Sequence, residues 1–143
     1  MSEKTVIKGH CHCGNIRYQF ITQIPVDQIA VRTCSCSFCT MHGGVYTSDP
    51  EGELRFKIKD QSQVKRYRFG HQTADFVICA NCGVLPFVLS EIDGNTFAVL
   101  NVKTATDPII PTESITRMNF DGEGTEDRLT RRSQNWIGTV IED

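Results

Sequence analysis

Residues 34–39 read CSCSFC, three cysteines in six positions. Four further cysteines form two close pairs, Cys11 and Cys13 in HCHCGN and Cys79 and Cys82 in CANCGV. Each pair is followed directly by glycine, Gly14 and Gly83, which lets the chain turn sharply so that two sulfurs converge and backbone N–H groups point at them. Two such knuckles supply the four thiolates of one closed tetrahedral zinc site, with every position filled and none open to substrate. The site joins the N-terminal segment to the middle of the chain, and its contribution to folding is large.

Cys34, Cys36 and Cys39 are one ligand short of a closed tetrahedron. Three thiolates around a divalent zinc leave one net negative charge, which weakens the ion as a Lewis acid and as a source of hydroxide. The open position suits a substrate thiol instead, because coordination removes its proton while leaving the sulfur nucleophilic. His42, three residues after Cys39 and before Gly43 and Gly44, offers a different closure in which three cysteines and one histidine make a purely structural site. Ser35, Ser37, Thr40 and the amides of Gly43 and Gly44 are the nearby donors for polarising a carbonyl, although serine and threonine in loops commonly serve as turn formers.

The elements that must position these cysteines are mostly strands. NIRYQFI, GVYTS, LRFKIK, ADFVIC, LPFVLSEI and TFAVLNVKT alternate or run apolar over strand lengths, and Asp93-Gly94-Asn95 forms a hairpin turn between the last two. DQSQVKRY makes a short turn. EDRLTRRSQNW, acids first and arginines later, is the expected helix, joined through Gly122 and Gly124 of FDGEGTED. In QVKRYRF, Arg66 and Arg68 alternate with Tyr67 and Phe69 as on a half-buried strand with its charges facing solvent. Arg128, Arg131 and Arg132 make the densest basic cluster, read either as a solvated helix face or as a lid for an anionic substrate. Trp136 docks this tail on the core, His10 and His12 are surplus to the four sulfurs, and His71 falls in a loop between strands.

Composition sets the class. A chain of 143 residues with 39% hydrophobic and 22% charged residues is a soluble globular protein able to bury a core without help from disulfides. The formal net charge of -2 provides no general field for nucleic acid, and no apolar stretch reaches the length of a signal segment or a membrane span. The expectation is a cytoplasmic protein without nucleic-acid or membrane partners. In that reducing setting seven cysteines point to metal rather than to disulfides.

The order GHCHCGNIRYQF, CSCSFC with HGG, KRYRF, and CANCGVLPFV with a later LNV resembles the glutathione-dependent formaldehyde-activating enzyme family over about residues 9–103. In this chain Ser35 and Thr40 occupy positions where members commonly carry a histidine and a basic residue. The resemblance implies a mainly β, Mss4-like (β-tent) fold of antiparallel sheets pinned by a four-cysteine zinc site, with little helix. It implies a single zinc domain over 1–143, with 104–143 as a C-terminal extension packed on the core. By the same resemblance Cys11, Cys13, Cys79 and Cys82 hold a structural zinc, and Cys34, Cys36 and Cys39 hold the second, catalytic one, for two ions per chain. The implied activity is that of a carbon–sulfur lyase resembling S-(hydroxymethyl)glutathione synthase, acting on small thiol and aldehyde substrates such as glutathione and formaldehyde. Two alternatives share the fold: a non-catalytic, zinc-stabilised binding module of the kind that binds small GTPases, and a methionine sulfoxide reductase relative. The second is disfavoured because no catalytic cysteine remains once both zinc groups are assigned.

Overall fold

The computed structural model describes residues 4–120 and 122–143; residues 1–3, read above for a signal segment, and Asp121 in the FDGEGTED join lie outside the described residues. In chain order the strands are β1 (Thr5–His10), β2 (Ile16–Thr22), β3 (Val31–Cys34), β4 (Tyr46–Thr47), β5 (Glu53–Ile58) and β6 (Val64–Tyr67). They continue with β7 (Asp75–Cys79), β8 (Phe87–Ile92), β9 (Asn95–Asn101), β10 (Ala105–Asp107), β11 (Ile115–Met118) and β12 (Thr139–Glu142). Helix α1 (Ser37–His42) follows β3, and α2 (Thr125–Asn135) lies between β11 and β12.

Two sheets result. The first has the order β10-β1-β2-β5-β12 and the second β11-β3-β4-β9-β8-β7-β6. The protein is therefore mainly β, as its alternating sequence requires. Most neighbouring strands are antiparallel, and the two parallel pairs, β12 with β5 and β11 with β3, close one edge of each sheet. Both parallel edge strands come from the segment after residue 104. An antiparallel neighbour can be reached by a short turn, whereas a parallel one needs a long return of chain; β4–β10 lie between β3 and β11, and β6–β11 with α2 lie between β5 and β12.

The first sheet shows the strict inside–outside period of two. Ile16, Tyr18 and Phe20 on β2 and Leu54, Phe56 and Ile58 on β5 are buried, with polar neighbours between them. The central strands of the second sheet read differently because both of their faces are covered. Phe87, Leu89, Ala98 and Leu100 pack toward the first sheet, while Val88 and Val99 join Tyr46, Leu85 and Trp136 on the opposite side. LPFVLSEI and TFAVLNVKT run apolar for this reason. Asp93 and Gly94 both have positive φ, 51° and 82°, giving the two-residue primed hairpin turn whose twist matches its strands.

DQSQVKRY divides into a 3-10 turn at Gln61–Gln63 and β6. The helix expected at EDRLTRRSQNW is present as α2, with Glu126 and Asp127 in its first turn and Arg132 in its last, the arrangement that complements the helix dipole. Among the described residues no helix is long and apolar enough to cross a membrane.

One close approach ties the two halves of the first sheet. Gly9 on β1 lies against the ring of Tyr18 and the carbonyl of Thr104, and Tyr18 bonds the Thr104 hydroxyl at 2.8 Å. A Cβ at residue 9 would overlap both partners. Gly9→Ala should therefore cost about 1–3 kcal/mol, as overpacking a filled core does. Thermal unfolding followed by circular dichroism checks this, and a melting temperature equal to that of the parent would contradict it.

Candidate metal centres and adjoining cavity

Cys11 and Cys13 lie in the tight turn between β1 and β2, and Cys79 ends β7 with Cys82 in the turn that follows. The glycines behave as the knuckle requires: Gly14 has φ 85° and Gly83 φ 82°, and their amides bond the carbonyls of Cys11 and Cys79 at 3.0 and 2.8 Å. Backbone N–H groups also reach sulfur, Ile16 to Cys11 Sγ at 3.3 Å and Cys82 to Cys79 Sγ at 3.5 Å. The four sulfurs lie within 4.8 Å of one another. Cys13 Sγ is 3.8 Å from Cys11 Sγ and 3.5 Å from Cys79 Sγ. A tetrahedron with metal–sulfur bonds of about 2.3 Å has edges of about 3.8 Å, so this donor set fits a zinc-sized ion. No disulfide competes, since all seven cysteines are free.

The second group is assembled by a strand end and a short helix. Cys34 closes β3, Cys36 is the N-cap of α1, and Cys39 is the buried residue of that helix. The Cys36 sulfur accepts from the Cys39 amide at 3.4 Å, and the Cys34 sulfur accepts from the Cys36 amide at 3.5 Å. These three sulfurs also lie within 4.8 Å of one another and could hold a metal ion. His42 is not part of the group; its ring stacks on Phe38 at 5.4 Å with 12° between planes. Nor do His10 and His12 belong to the four-sulfur set, and His10 Nδ1 bonds the Cys11 carbonyl at 2.6 Å.

Without an ion the thiols of each group ionise unequally. The hydrogen bond from Cys39 holds Cys34 down to about 5, with burial opposing, while the same bond and burial push Cys39 up. Burial likewise raises Cys36. In the other group the Asn81 side chain lowers Cys13 to about 6, and burial pushes Cys11 up to about 12. Burial opposes, but backbone hydrogen bonds lower Cys82 as well, so the four-sulfur group has two thiols shifted toward the thiolate and the three-sulfur group one, and a cation completes such sets by displacing the remaining protons.

A cavity of about 180 Å³ opens beside Cys34, Cys36 and Cys39. One side is apolar, formed by Phe69, Ala74, Phe76, Val88, Val99 and Trp136. The other carries Arg32 from β3 and Arg128, Arg131 and Arg132 from α2. Residues i, i+3 and i+4 share one helix face, which explains why the three arginines converge. That face is not solvated, for Arg132 is buried and Arg128 and Arg131 are half-buried. Trp136 docks the end of α2 on the core, as expected, and also lines the cavity. His71 sits in the β6–β7 loop and bonds the Thr125 hydroxyl at 2.7 Å, tying that loop to the start of α2.

Other candidates fall elsewhere. Thr40 donates to the Ser35 carbonyl at 3.3 Å and the Gly43 amide caps α1 through the Cys39 carbonyl at 2.8 Å, so both serve the local turn. Arg66 and Arg68 are exposed and both pair with Asp75, while Tyr67 and Phe69 stack on Phe38. Tyr46 and Arg32 were missed from the sequence. The Tyr46 hydroxyl lies 3.6 Å from Cys39 Sγ, and burial followed by the neighbouring sulfur raises its pKa. Neither carries a local motif; their chain neighbours look like ordinary strand residues.

A second opening lies on the far side of the cluster, where Ser35, Gly44, Lys103 and Arg117 face Cys34 and Cys39. A family model for the glutathione-dependent formaldehyde-activating enzyme matches residues 6–116. The chain belongs to that family. The formaldehyde-activating match spans both cysteine groups and stops short of α2, so three of the four cavity arginines lie outside it. Among solved structures, the chain is similar to a crystal structure of a Rhodobacter sphaeroides structural-genomics target, with 21% identity and a TM-score of 0.52, covering 95% of this chain and 99% of that one. At that identity the likeness concerns the fold. No curated protein matches the chain.

Around the cavity of this formaldehyde-activating family member, Glu123 is the carboxylate that holds α2 in place, accepting from Arg131 at 2.9 and 3.1 Å and lying 3.7 Å from Arg128. Arg131 keeps its pKa below the usual glutamate value, although partial burial opposes this. A depressed carboxylate stabilises the fold above its unfolded pKa of about 4.3 and loses that contribution as pH falls through the lower folded value. Glu123→Gln should therefore lower the melting temperature at neutral pH, and the gap to the parent should close as pH drops below about 4. A gap independent of pH would show that charge at Glu123 does not anchor the helix.

Proposed function

We propose that the chain is a zinc-dependent enzyme that forms or breaks the carbon–sulfur bond between a small thiol and a small aldehyde, the class of pair that its family description names. The observation that best supports this is position. Cys34, Cys36 and Cys39 border the cavity, while Cys11, Cys13, Cys79 and Cys82 are not among its walls. Four sulfurs close a tetrahedron and three leave one place for a ligand. Cys11, Cys13, Cys79 and Cys82 are accordingly assigned to a structural zinc and Cys34, Cys36 and Cys39 to a second, catalytic zinc.

Zinc held by the three sulfurs would supply the positive charge that keeps a substrate thiol deprotonated at neutral pH. The chain's own groups do the rest. The amides of Cys36 and Cys39 orient the sulfurs of Cys34 and Cys36. As the carbon–sulfur bond forms, the carbonyl π pair moves onto oxygen, which takes up a proton equivalent to the one the substrate thiol gave up on ionising; the reverse reaction returns both. Tyr46, whose proton is retained by burial, offers its hydroxyl hydrogen to that oxygen. Phe69, Phe76 and Trp136 give the same space an apolar wall. A non-catalytic binding module would leave this walled cavity beside three sulfurs without a use.

Protein purified without chelator should carry about two zinc ions per chain, falling to about one in Cys36→Ser with the fold retained, whereas Cys79→Ser should lose thermal stability. Metal analysis and thermal unfolding read both. The same Cys36→Ser chain should lose thiol-dependent consumption of aldehyde. Unchanged zinc content in Cys36→Ser would remove the second centre and the enzyme reading with it.

A further inference from the structure

The arginines of the cavity are not equally satisfied. Arg131 is held by both oxygens of Glu123, and Arg128 lies 3.7 Å from the same carboxylate, an ion pair too long for a hydrogen bond, so its buried Nε has no hydrogen-bond partner. Arg132 is only 6% exposed, yet it donates only to hydroxyls, Thr73 at 2.8 Å and Ser90 at 3.2 Å, and its Nε is buried without a hydrogen-bond partner. Arg32 donates to the Ser48 hydroxyl at 2.9 Å. Among the described residues neither Arg32 nor Arg132 has a carboxylate partner. Burial, and then the charges of Arg128 and Arg131, push Arg132 down to about 10. A guanidinium is costly to bury unless an anion answers it.

The cysteine group does not supply that anion in full. Three thiolates around a divalent ion carry one net negative charge, and Glu123 carries another. Four guanidinium groups therefore leave two positive charges over, facing an apolar space of about 180 Å³. That volume is below the roughly 300–1,000 Å³ of sites for drug-sized ligands. It takes a short carbon skeleton with one acid group whole.

We propose that this cavity recognises a compact monocarboxylate substrate, its acid group against Arg32 and Arg132, its apolar portion between Phe76 and Trp136, and its reacting end at Cys34, Cys36 and Cys39. The location of the reacting end rests on the thiol–aldehyde reading above; the acid-binding end does not. Arg32 and Arg132 are then the residues that set specificity. Formaldehyde alone would leave them unused.

The test compares four ligands that differ in one group at each end: 3-mercaptopropionate, 3-mercapto-1-propanol, butyrate and 1-butanol. Each is titrated by calorimetry into the zinc-loaded chain and into Arg32→Gln, whose glutamine can still bond Ser48. Each acid should bind about tenfold or more tightly than its alcohol, the worth of one charge-assisted contact, and that preference should shrink toward unity in Arg32→Gln. Equal binding of acid and alcohol, or a preference undiminished by Arg32→Gln, would overturn the proposal. So would glutathione binding that falls in Arg32→Gln as steeply as that of the short acid. The sulfur comparison reports on the other reading: acid preference without thiol preference keeps the carboxylate site and removes the thiol–aldehyde assignment. Thiol preference without acid preference does the reverse.

Discussion

Four sulfurs from two different sheets meet within 4.8 Å, and the rest of the molecule is arranged around that meeting. Cys13 and Cys79 are 66 residues apart in sequence and 3.5 Å apart in space. Thiol contacts of this length are weak, and several thiolates so close repel one another, so the arrangement calls for a cation to hold it. Once the turn between β1 and β2 is fixed to the end of β7, the two sheets cannot slide past each other. The end of β7 also sets the β7–β8 turn, and the ladder from β8 through β9 and β4 to β3 carries that position to Cys34. The four-sulfur group and the three-sulfur group are thus joined through one continuous ladder of strands.

Helix α1 shows how closely the second group is bound up with local folding. Six residues are too few for a helix to be stable alone. Its N-terminus is capped by a Cys36 sulfur that is also a candidate ligand, and its C-terminus is closed by Gly43 with φ 78°. Phe38 anchors it from the side, stacked against Tyr67, Phe69 and His42. One sulfur therefore serves as cap and donor together, so occupation of the three-sulfur group and order in α1 should be coupled.

The parts of the fold readable from sequence are those set by local pattern. NIRYQFI and LRFKIK show their buried rows directly, and Asp93-Gly94 specifies its own turn because the required positive φ restricts the residue types. The cysteine groups were legible for the same reason, since ligand spacing and the glycines after them are local. What escaped was decided at a distance. Nothing near ITRM or TVIE says that β11 and β12 will lie parallel to β3 and β5, because the partner is more than eighty residues away. SFCTMH has one strong helix former, Met41, among weaker ones, so its caps and the aromatic stack carry much of the helicity of α1. Tyr46 and Arg32 gain their places at the cavity from their register on β4 and β3, facing each other across that pair.

The arginine face of α2 is the clearest case in which sequence and surroundings disagree. Arg128, Arg131 and Arg132 read as a basic patch, and on an isolated helix they would be solvated. Here they are turned inward over Phe120 and Trp136, with ring contacts of 3.6 Å for Arg131 and 4.9 Å for Arg132. Those rings recover part of the cost of burial, and Glu123 recovers more for Arg131. Arg132 keeps a residue of that cost, with a buried Nε and only hydroxyls as partners. A chain selected for stability alone would place an apolar side chain at such a position, since replacing buried charge by well-packed apolar groups is commonly neutral or favourable. Buried charge of this kind, lying beside the three sulfurs and on one wall of their cavity, is what a site built to receive an anion would carry.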